Sequence, residues 1–172
     1  VGRLWLMANP GSTLKGDWRY YIEPAEQTPE VQAQLDALIQ TRMAEDGGSL
    51  NPETITVLDP ACGSGNFLYV ALRSLKDIEH RANLDAEALG LPRGFPRVGP
   101  ECVLGIELNP YAAELARVSV WIGEIQWMRR NGFNAARNPI LRTLDTIENR
   151  DAVLAPDGTR AEWPKADVVI GN

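Results

Sequence analysis

A carboxylate followed by a glycine-rich turn is the stretch of this sequence best suited to chemistry. Asp59 follows the apolar pair Val57-Leu58. After it come the corner Pro60-Ala61-Cys62, the triplet Gly63-Ser64-Gly65 and the start of an amphipathic pattern. Gly63 and Gly65 permit positive φ and close approach of a ligand, and the first N–H groups of a following helix have no intrahelical partner. The stretch therefore predicts a strand, a loop that binds a small molecule, and a helix.

The charge of Asp59 indicates which small molecule this is. A dinucleotide fingerprint is G-x-G-x-x-G with the pyrophosphate on the helix N-terminus, but Leu68 stands at the third glycine position. A carboxylate four residues before Gly63 would repel a phosphate and attract a cation. S-adenosylmethionine (SAM) has no phosphate and carries an ammonium and a sulfonium group. The pattern favours SAM over a dinucleotide, with a plain strand-to-helix turn as the remaining alternative.

Two further acidic residues follow predicted strands. Glu107 ends the strand predicted over 103–107, where it can accept hydrogen bonds from ribose hydroxyls of either NAD or SAM. Asp151 follows a weakly patterned strand that begins at Ile147, and its carboxylate can accept a hydrogen bond from an adenine amine; Asp145 is the competing candidate. Since ligands bind outside the carboxyl ends of parallel strands, these groups are expected to line one crevice.

The elements that must position these groups alternate along the chain. Helices are predicted over about 29–46, after the glycine loop, and from Pro110 to near Arg130, and strands over 55–59, 103–107, 147–151 and 166–172. This order predicts an α/β fold with a doubly wound sheet. The second helix is predicted to bury Leu68, Ala71, Leu72, Leu75, Ile78 and Ala82 and to expose Lys76. The third helix is predicted to bury Tyr111, Leu115, Val118, Ile122 and Ile125. The lone His80 is expected on the surface without a role.

Residues 1–27 are predicted to be an irregular arm containing aromatic residues, 28–50 a helix and linker, and 51–172 the SAM-binding core. The 172 residues carry a net charge of −6, the wrong sign for a broad DNA-binding face. If DNA is the partner, most of the contacts must therefore come from regions beyond this chain. No apolar run is long enough to span a membrane, so a cytoplasmic location is expected, and the spacing of the two cysteines predicts no metal site.

Several motifs together resemble one enzyme family, the class I SAM-dependent DNA methyltransferases that act on the N6 amino group of adenine. The motifs are Asp59-Pro60-Ala61-Cys62-Gly63-Ser64-Gly65-Asn66-Phe67, Gly105-Ile106-Glu107-Leu108-Asn109-Pro110 and Asp167-Val168-Val169-Ile170-Gly171-Asn172. The segments Ala113-Glu114-Leu115-Ala116, Trp121-Ile122-Gly123 and 126–132 are similar to the methyltransferase domain of large single-chain type II restriction-modification enzymes. The resemblance implies the N-terminal half, strands 1 to 4, of a Rossmann-like methyltransferase sheet.

The resemblance also implies residue roles. The cofactor-binding residues would be Asp59, Pro60, Ala61, Cys62, Gly63, Gly65, Asn66, Phe67, Glu107, Leu108 and Asp151. Asn172 would be catalytic, as the first residue of the family's Asn-Pro-Pro-Phe/Tyr motif, whose other residues this sequence does not include. These 172 residues are thus expected to bind SAM weakly and not to methylate DNA alone. The alternatives are a protein glutamine-N5 methyltransferase and a non-catalytic SAM-binding module.

Overall fold

The computed structural model describes residues 2–9, 11, 28–48, 50–92, 94–133 and 143–171. The helices in this part of the chain are α1 (Gly2–Ala8), α2 (Pro29–Glu45), α3 (Asn66–Ala88) and α4 (Pro110–Arg130). The strands are β1 (Val57–Asp59), β2 (Val103–Glu107), β3 (Ile147–Asn149) and β4 (Val168–Val169). Short 3-10 turns at Pro52–Thr54 and Pro100–Cys102 precede β1 and β2.

The four strands form one parallel sheet in the order β3-β2-β1-β4. From β1 the chain moves outward to β2 and β3 and then returns to the other side of β1, so the strand order reverses at β1. Asp59 lies beside Gly105 and Glu107 beside Asn149, which places the strand ends at one edge. The predicted α/β sheet is confirmed, and its switch point lies where such sheets bind ligands.

Side-chain caps explain where two of the helices begin. The Thr28 hydroxyl accepts a hydrogen bond from the Val31 N–H at 3.4 Å, and the Asn109 side-chain oxygen accepts from the N–H groups of Tyr111 and Ala112 at 2.9 and 3.2 Å. Each cap is followed by a proline at the first helical position. The predicted starts of α2 and α4 are confirmed, and their predicted ends are correct to within one residue.

The inward face of α3 agrees with the sequence prediction in its apolar residues. Leu68, Leu72, Leu75 and Ile78 have no exposed surface, although Ala82 is only half-buried. The prediction that Lys76 faces solvent is wrong, since this residue is 1% exposed. The hydrophobic periodicity of the helix gave the wrong result because Lys76 faces α4 and the segment before β2. Both of these supply polar partners for its ammonium group.

Lys76 is the centre of a buried polar contact between α3, α4 and the entry to β2. Its ammonium group donates hydrogen bonds to the Val98 carbonyl at 2.7 Å and to Glu124 Oε1 at 3.0 Å, and it lies 4.7 Å from the centre of the Trp127 ring. Glu79, also buried, accepts from the N–H of Val98 at 3.0 Å. One turn of α3 therefore positions the chain as it enters the sheet.

The predicted buried stripe of α4 is wrong. The helix buries Ala113, Ala116, Val120, Gly123 and Trp127, whereas Tyr111, Leu115, Val118 and Ile122 are exposed and Ile125 is half-buried. Small residues allow a close approach to α3: a Cβ on Gly123 would lie 2.7 Å from Tyr69 Cδ2. The closeness of α3 therefore selects the face that has small residues at positions 113, 116 and 123.

Strands β1, β3 and β4 are all shorter than predicted. Strand β4 is also not buried as expected, because it forms the edge of the described sheet, with Val169 55% exposed. Hydrogen bonds made by a side chain just before β4 hold this edge strand in place. Both oxygens of Asp167 accept hydrogen bonds, one from Arg42 Nε at 2.7 Å and the other from the Thr56 N–H at 2.8 Å. Arg42 also donates to the Thr54 carbonyl at 2.9 Å. Helix α2 thus holds the beginnings of β1 and β4 together.

Two smaller expectations also need correction. Residues 2–8 are helical rather than irregular, and Trp5 is buried in the core; Trp18, Tyr20 and Tyr21 lie outside the described residues. His80 is not a solvated side chain, because its ring is half-buried and makes edge contacts with Trp127 and Phe133 at 5.6 and 6.1 Å between ring centres. The division into three segments remains a prediction.

Replacing Lys76 alone should destabilise the chain more than replacing the whole ion pair. Lys76→Met leaves the Glu124 carboxylate without its cation, and we expect a loss of about 3 kcal/mol in the free energy of unfolding. Lys76→Met with Glu124→Leu should recover most of that loss, while the exposed control Arg129→Met should change stability by less than about 0.5 kcal/mol. Urea unfolding followed by circular dichroism measures all three. Equal losses in the single and double variants would contradict a paired role.

Candidate functional site

The glycine loop between β1 and α3 depends on glycine for two separate reasons. Gly63 and Gly65 have φ of +53° and +84°, a conformation that L side chains rarely adopt. A Cβ on Gly65 would also lie 2.9 Å from the Ala116 Cα, so α3 and α4 approach too closely there for any side chain. Gly65 offers no side chain to cap α3, so the first N–H groups of that helix remain available to a ligand.

Asp59, at the end of β1, is a fully buried carboxylate with one unpaired oxygen. Its Oδ1 accepts a hydrogen bond from the Ala61 N–H at 3.1 Å, whereas its buried Oδ2 has no hydrogen-bond partner within the described part of the chain. Burial raises the pKa of this carboxyl; the Ala61 hydrogen bond opposes the shift and the charge of Glu107 adds to it. A buried unpaired carboxylate oxygen is costly, and a cationic ligand would relieve that cost.

Glu107 joins the glycine loop to the next strand and helix. Its Oε2 accepts from the Gly63 N–H at 2.9 Å and its Oε1 from the Asn109 N–H at 2.7 Å. The Cys62 N–H donates to the Ile106 carbonyl at 3.1 Å beside it. Each carboxylate oxygen keeps a second lone pair, so Glu107 can hold the loop and still accept hydrogen bonds from a ligand.

The end of β3 adds a residue that sequence reasoning missed. Asn149 donates from Nδ2 to the carbonyls of Glu107 and Leu108 at 2.8 and 2.9 Å, and the Arg150 N–H donates to the Glu107 carbonyl at 3.1 Å. The sequence offered little signal, because Asn149 stood in the middle of the strand predicted over 147–151. These bonds place Asp151, the next residue along, at the same edge of the sheet as Glu107.

Asp151 and its competitor Asp145 lie at opposite ends of β3. Asp151 follows the strand, and its Oδ1 accepts from the N–H groups of Val153 and Leu154 at 2.7 and 3.0 Å, which lowers the pKa of its carboxyl. Asp145 is an exposed residue that precedes β3, at the edge away from Asp59. The topology therefore favours Asp151 as the third acidic group of the crevice.

Cys62 packs within the loop instead of offering a nucleophile. The residue is 5% exposed, and burial together with the charges of Asp59 and Glu107 raises its pKa to about 11. A Cβ on Gly105 would lie 2.9 Å from Cys62 Sγ, so β2 passes directly against the thiol. A neutral buried thiol is unreactive near neutral pH.

The remaining predicted site residues surround this loop or lie beyond it. Pro60 is half-buried, and Ala61, Asn66, Phe67 and Leu108 are exposed. Asn172 lies outside the described residues; the residue before it, Gly171, passes so close to Asp59 that a Cβ there would lie 3.2 Å from Oδ1. The segment that follows β4 therefore passes beside Asp59, at the start of the glycine loop.

Two cavities lie away from Asp59 and Glu107, although one of them borders Asp151. One of about 620 Å³ lies beside the 3-10 turn before β1, between Trp5, Glu79 and Phe95, and one of about 460 Å³ lies beside Asp151 and Pro156. Among the described side chains no group of three or more His, Cys, Asp or Glu is arranged to hold a metal ion. No helix of the described segments is long and apolar enough to cross a membrane. The unpaired carboxylate at the switch point makes the glycine-loop crevice the stronger candidate site.

A parallel sheet in the order 3-2-1-4, with a glycine loop after β1 and acidic residues at or just after the ends of β1, β2 and β3, defines an open α/β domain of the type that binds ligands at its switch point. Residues 49–169 match the family model described as MmeI, DNA-methyltransferase domain. Because this match spans more than half of the chain, the chain belongs to that family. The resemblance inferred from the motifs is confirmed.

Individual relatives agree with this assignment. The chain is 44% identical over 117 residues to the adenine-specific methyltransferase BrxX of Escherichia coli O9:H4 (strain HS), covering 67% of this chain and 9% of BrxX. It is 33% identical over 119 residues to DNA methyltransferase A of Bacillus subtilis (strain 168), covering 69% of this chain and 13% of that protein. The chain therefore spans a small part of the length of the relatives it matches.

A solved structure shows the same fold. It is the Type IIL restriction-modification enzyme MmeI in complex with DNA, with a TM-score of 0.51 and 23% sequence identity. The similarity covers 72% of this chain and 18% of the MmeI chain. At this level of identity the match supports the fold alone.

Gly65 is required both by its positive φ and by its closeness to Ala116, and comparing its alanine variant with that of Gly158 separates the two effects. Gly65→Ala combines an unfavourable φ with a clash against Ala116, and we expect it to lower the free energy of unfolding by about 2–4 kcal/mol. Gly158 has a similar φ of +82° but open space around it, so Gly158→Ala should cost only about 1 kcal/mol. Equal costs in urea unfolding would show that α3 and α4 can separate at this point.

Proposed function

We propose that this chain is the SAM-binding part of a DNA methyltransferase that transfers a methyl group to the N6 amino group of adenine, within restriction-modification or phage defence. The observation that carries the proposal is the buried Asp59 carboxylate, with its unpaired Oδ2, at the switch point of the sheet. The family match and the names of the relatives support the DNA substrate.

The chemistry of the crevice fits the methionine end of SAM. That end is a zwitterion: its ammonium would pair with Asp59, and its carboxylate would suit the uncapped amino end of α3. A dinucleotide offers no ammonium and would bring phosphates toward a carboxylate. SAM therefore relieves the unpaired charge that a dinucleotide would aggravate.

The nucleoside end of SAM has partners on the neighbouring strands. Glu107 would accept hydrogen bonds from the ribose hydroxyls through its remaining lone pairs. Asp151 would accept from the adenine amine, because the Val153 and Leu154 N–H groups bond only its Oδ1. Phe67 and Leu108, 50% and 67% exposed, would supply apolar contact to the ring. The other proposed cofactor-binding residues are Pro60, Ala61, Cys62, Gly63, Gly65 and Asn66.

The chain's own contribution to catalysis would come from Asn172. SAM supplies the electrophilic methyl group. An adenine amine is a poor nucleophile because its lone pair is delocalised into the ring, and the Asn172 side-chain oxygen would accept one of its hydrogens and favour a pyramidal nitrogen. This is catalysis by positioning and electrostatic stabilisation. The close passage of Gly171 past Asp59 supports this role, since Gly171 is the residue immediately before Asn172 in the sequence.

Transfer of a tritium-labelled methyl group tests the proposal. The protein as its gene encodes it, given labelled SAM and duplex DNA, should yield N6-methyladenine in the digested DNA. Asn172→Ala should lower the rate at least 100-fold and leave the SAM dissociation constant within about twofold, because the substitution removes only amine positioning. Label on a protein glutamine, or none on DNA, would overturn the proposed substrate.

SAM binding should weaken as the pH falls. The Asp59 carboxyl has a raised pKa in the free protein, and only its ionised form pairs with the ammonium. Affinity should therefore be full above that raised pKa and fall by up to about tenfold per pH unit below it. Asp59→Asn should weaken binding at neutral pH and flatten this dependence. Titration calorimetry between pH 4 and 8 measures both variants, and an unchanged slope in Asp59→Asn would assign the titration to another group.

Asp59→Asn should at the same time stabilise the ligand-free chain at neutral pH. A carboxyl whose pKa is raised on folding holds its proton more tightly in the folded state, so its contribution to stability is lost as the pH rises through the interval between the unfolded and folded pKa values. The amide carries no charge to bury. A higher melting temperature for Asp59→Asn at pH 7, with the difference vanishing near pH 3, is the expected result.

A further inference from the structure

Helix α4 carries a second apolar face that the described structure leaves exposed. This outer face consists of Tyr111, Leu115, Val118 and Ile122, which are 73%, 38%, 49% and 45% exposed. The residues recur at the spacing of one side of a helix, and Ile125, half-buried, continues the row.

The outer face is separate from the core-facing side of the same helix. At about 100° per residue, the outer face points roughly 150° away from the side that carries Ala113, Ala116, Val120 and Gly123. These residues therefore do not belong to the margin of the core that α4 shares with α3 and the sheet. A helix that is apolar on two opposite sides is normally covered on both.

The chemistry of the outer face excludes two kinds of partner. None of the four residues of the outer face carries a charge, whereas a DNA-binding surface needs Lys or Arg. A helix that lies on a membrane surface carries Lys and Arg along its polar side, but the basic residues of α4 are Arg117, which pairs with Glu114, and Arg129 and Arg130 in its last turn. The face suits an apolar protein surface.

The size of the outer face indicates what kind of protein surface covers it. Four side chains over about 17 Å of helix bury on the order of 400 Å², about half of the ~800 Å² per partner of a stable free-standing interface. Two separate copies of a chain with net charge −6 would also repel each other. A contact this small is stable when its partner is tethered, because the tether gives a high effective concentration.

The relatives supply such a tether, since the matched stretch is 9% of BrxX, 13% of DNA methyltransferase A and 18% of MmeI. We propose that the outer face of α4 is an internal docking surface, covered by a helix with an apolar side from a part of the same polypeptide beyond residues 1–172. The proposal concerns assembly and is independent of SAM binding and methyl transfer.

Site-directed cross-linking in the protein as its gene encodes it tests this assignment. Val118→Cys places a thiol at the centre of the outer face, and Leu89→Cys is the control, because Leu89 is apolar and 83% exposed at the end of α3. Cys62 and Cys102 are buried with pKa values of about 11, so they will not compete for a maleimide. Any other reactive cysteine is first replaced by serine.

The expected result has two parts. Maleimide should label Val118→Cys at least tenfold more slowly than Leu89→Cys, and a short benzophenone maleimide that does attach at 118 should cross-link to a peptide outside residues 1–172 of the same molecule. Equal labelling rates would overturn the proposal, as would a cross-link between two copies or one to residues 12–27 or 134–142. Ile122→Cys repeats the measurement if Val118→Cys lowers the melting temperature.

Discussion

The Glu107 carboxylate is the contact on which the candidate site depends. With one oxygen on the Gly63 N–H and the other on the Asn109 N–H, it ties the loop after β1 to the first turn of α4. The strands alone place these segments side by side but do not set the height of the loop above the sheet. The carboxylate does so, and Asn149 then joins β3 to the Glu107 backbone. The loop after β1 and the ends of β2 and β3 are thereby joined at the edge of the sheet where Asp59 lies.

Features with a local cause could be predicted from the sequence. Gly63 and Gly65 are required by the backbone itself, and the Thr28 and Asn109 caps with their prolines identify the helix starts. The acidic residues at the strand ends follow from short apolar runs that stop at a charge. The alternation of strands and helices indicates a parallel sheet. Because parallel strands end at one edge, it also predicts that these acidic residues lie together.

Features that depend on a neighbour could not be predicted in the same way. Helix α4 has apolar residues on two sides, and only the closeness of α3, at Gly65 and Gly123, decides which side is buried. Lys76 is buried because Glu124 and Val98, distant in sequence, meet its ammonium. The role of Asn149 was missed for the same reason, since its acceptors are carbonyls on another strand. Periodicity reports how polar each residue is, but not what lies opposite it.

The approach of Gly65 to Ala116 also bears on how this domain can change over evolutionary time. The two residues are far apart in sequence, yet the space between them admits no additional carbon atom. A larger residue at 116 would push α4 away from the loop, and no second substitution at 65 could make room, since glycine is already the smallest residue. Ala116 is fully buried beside the loop, so small residues are favoured at position 116 for as long as the loop keeps its shape. Diversification of such domains is more readily accommodated in the segments between the strands.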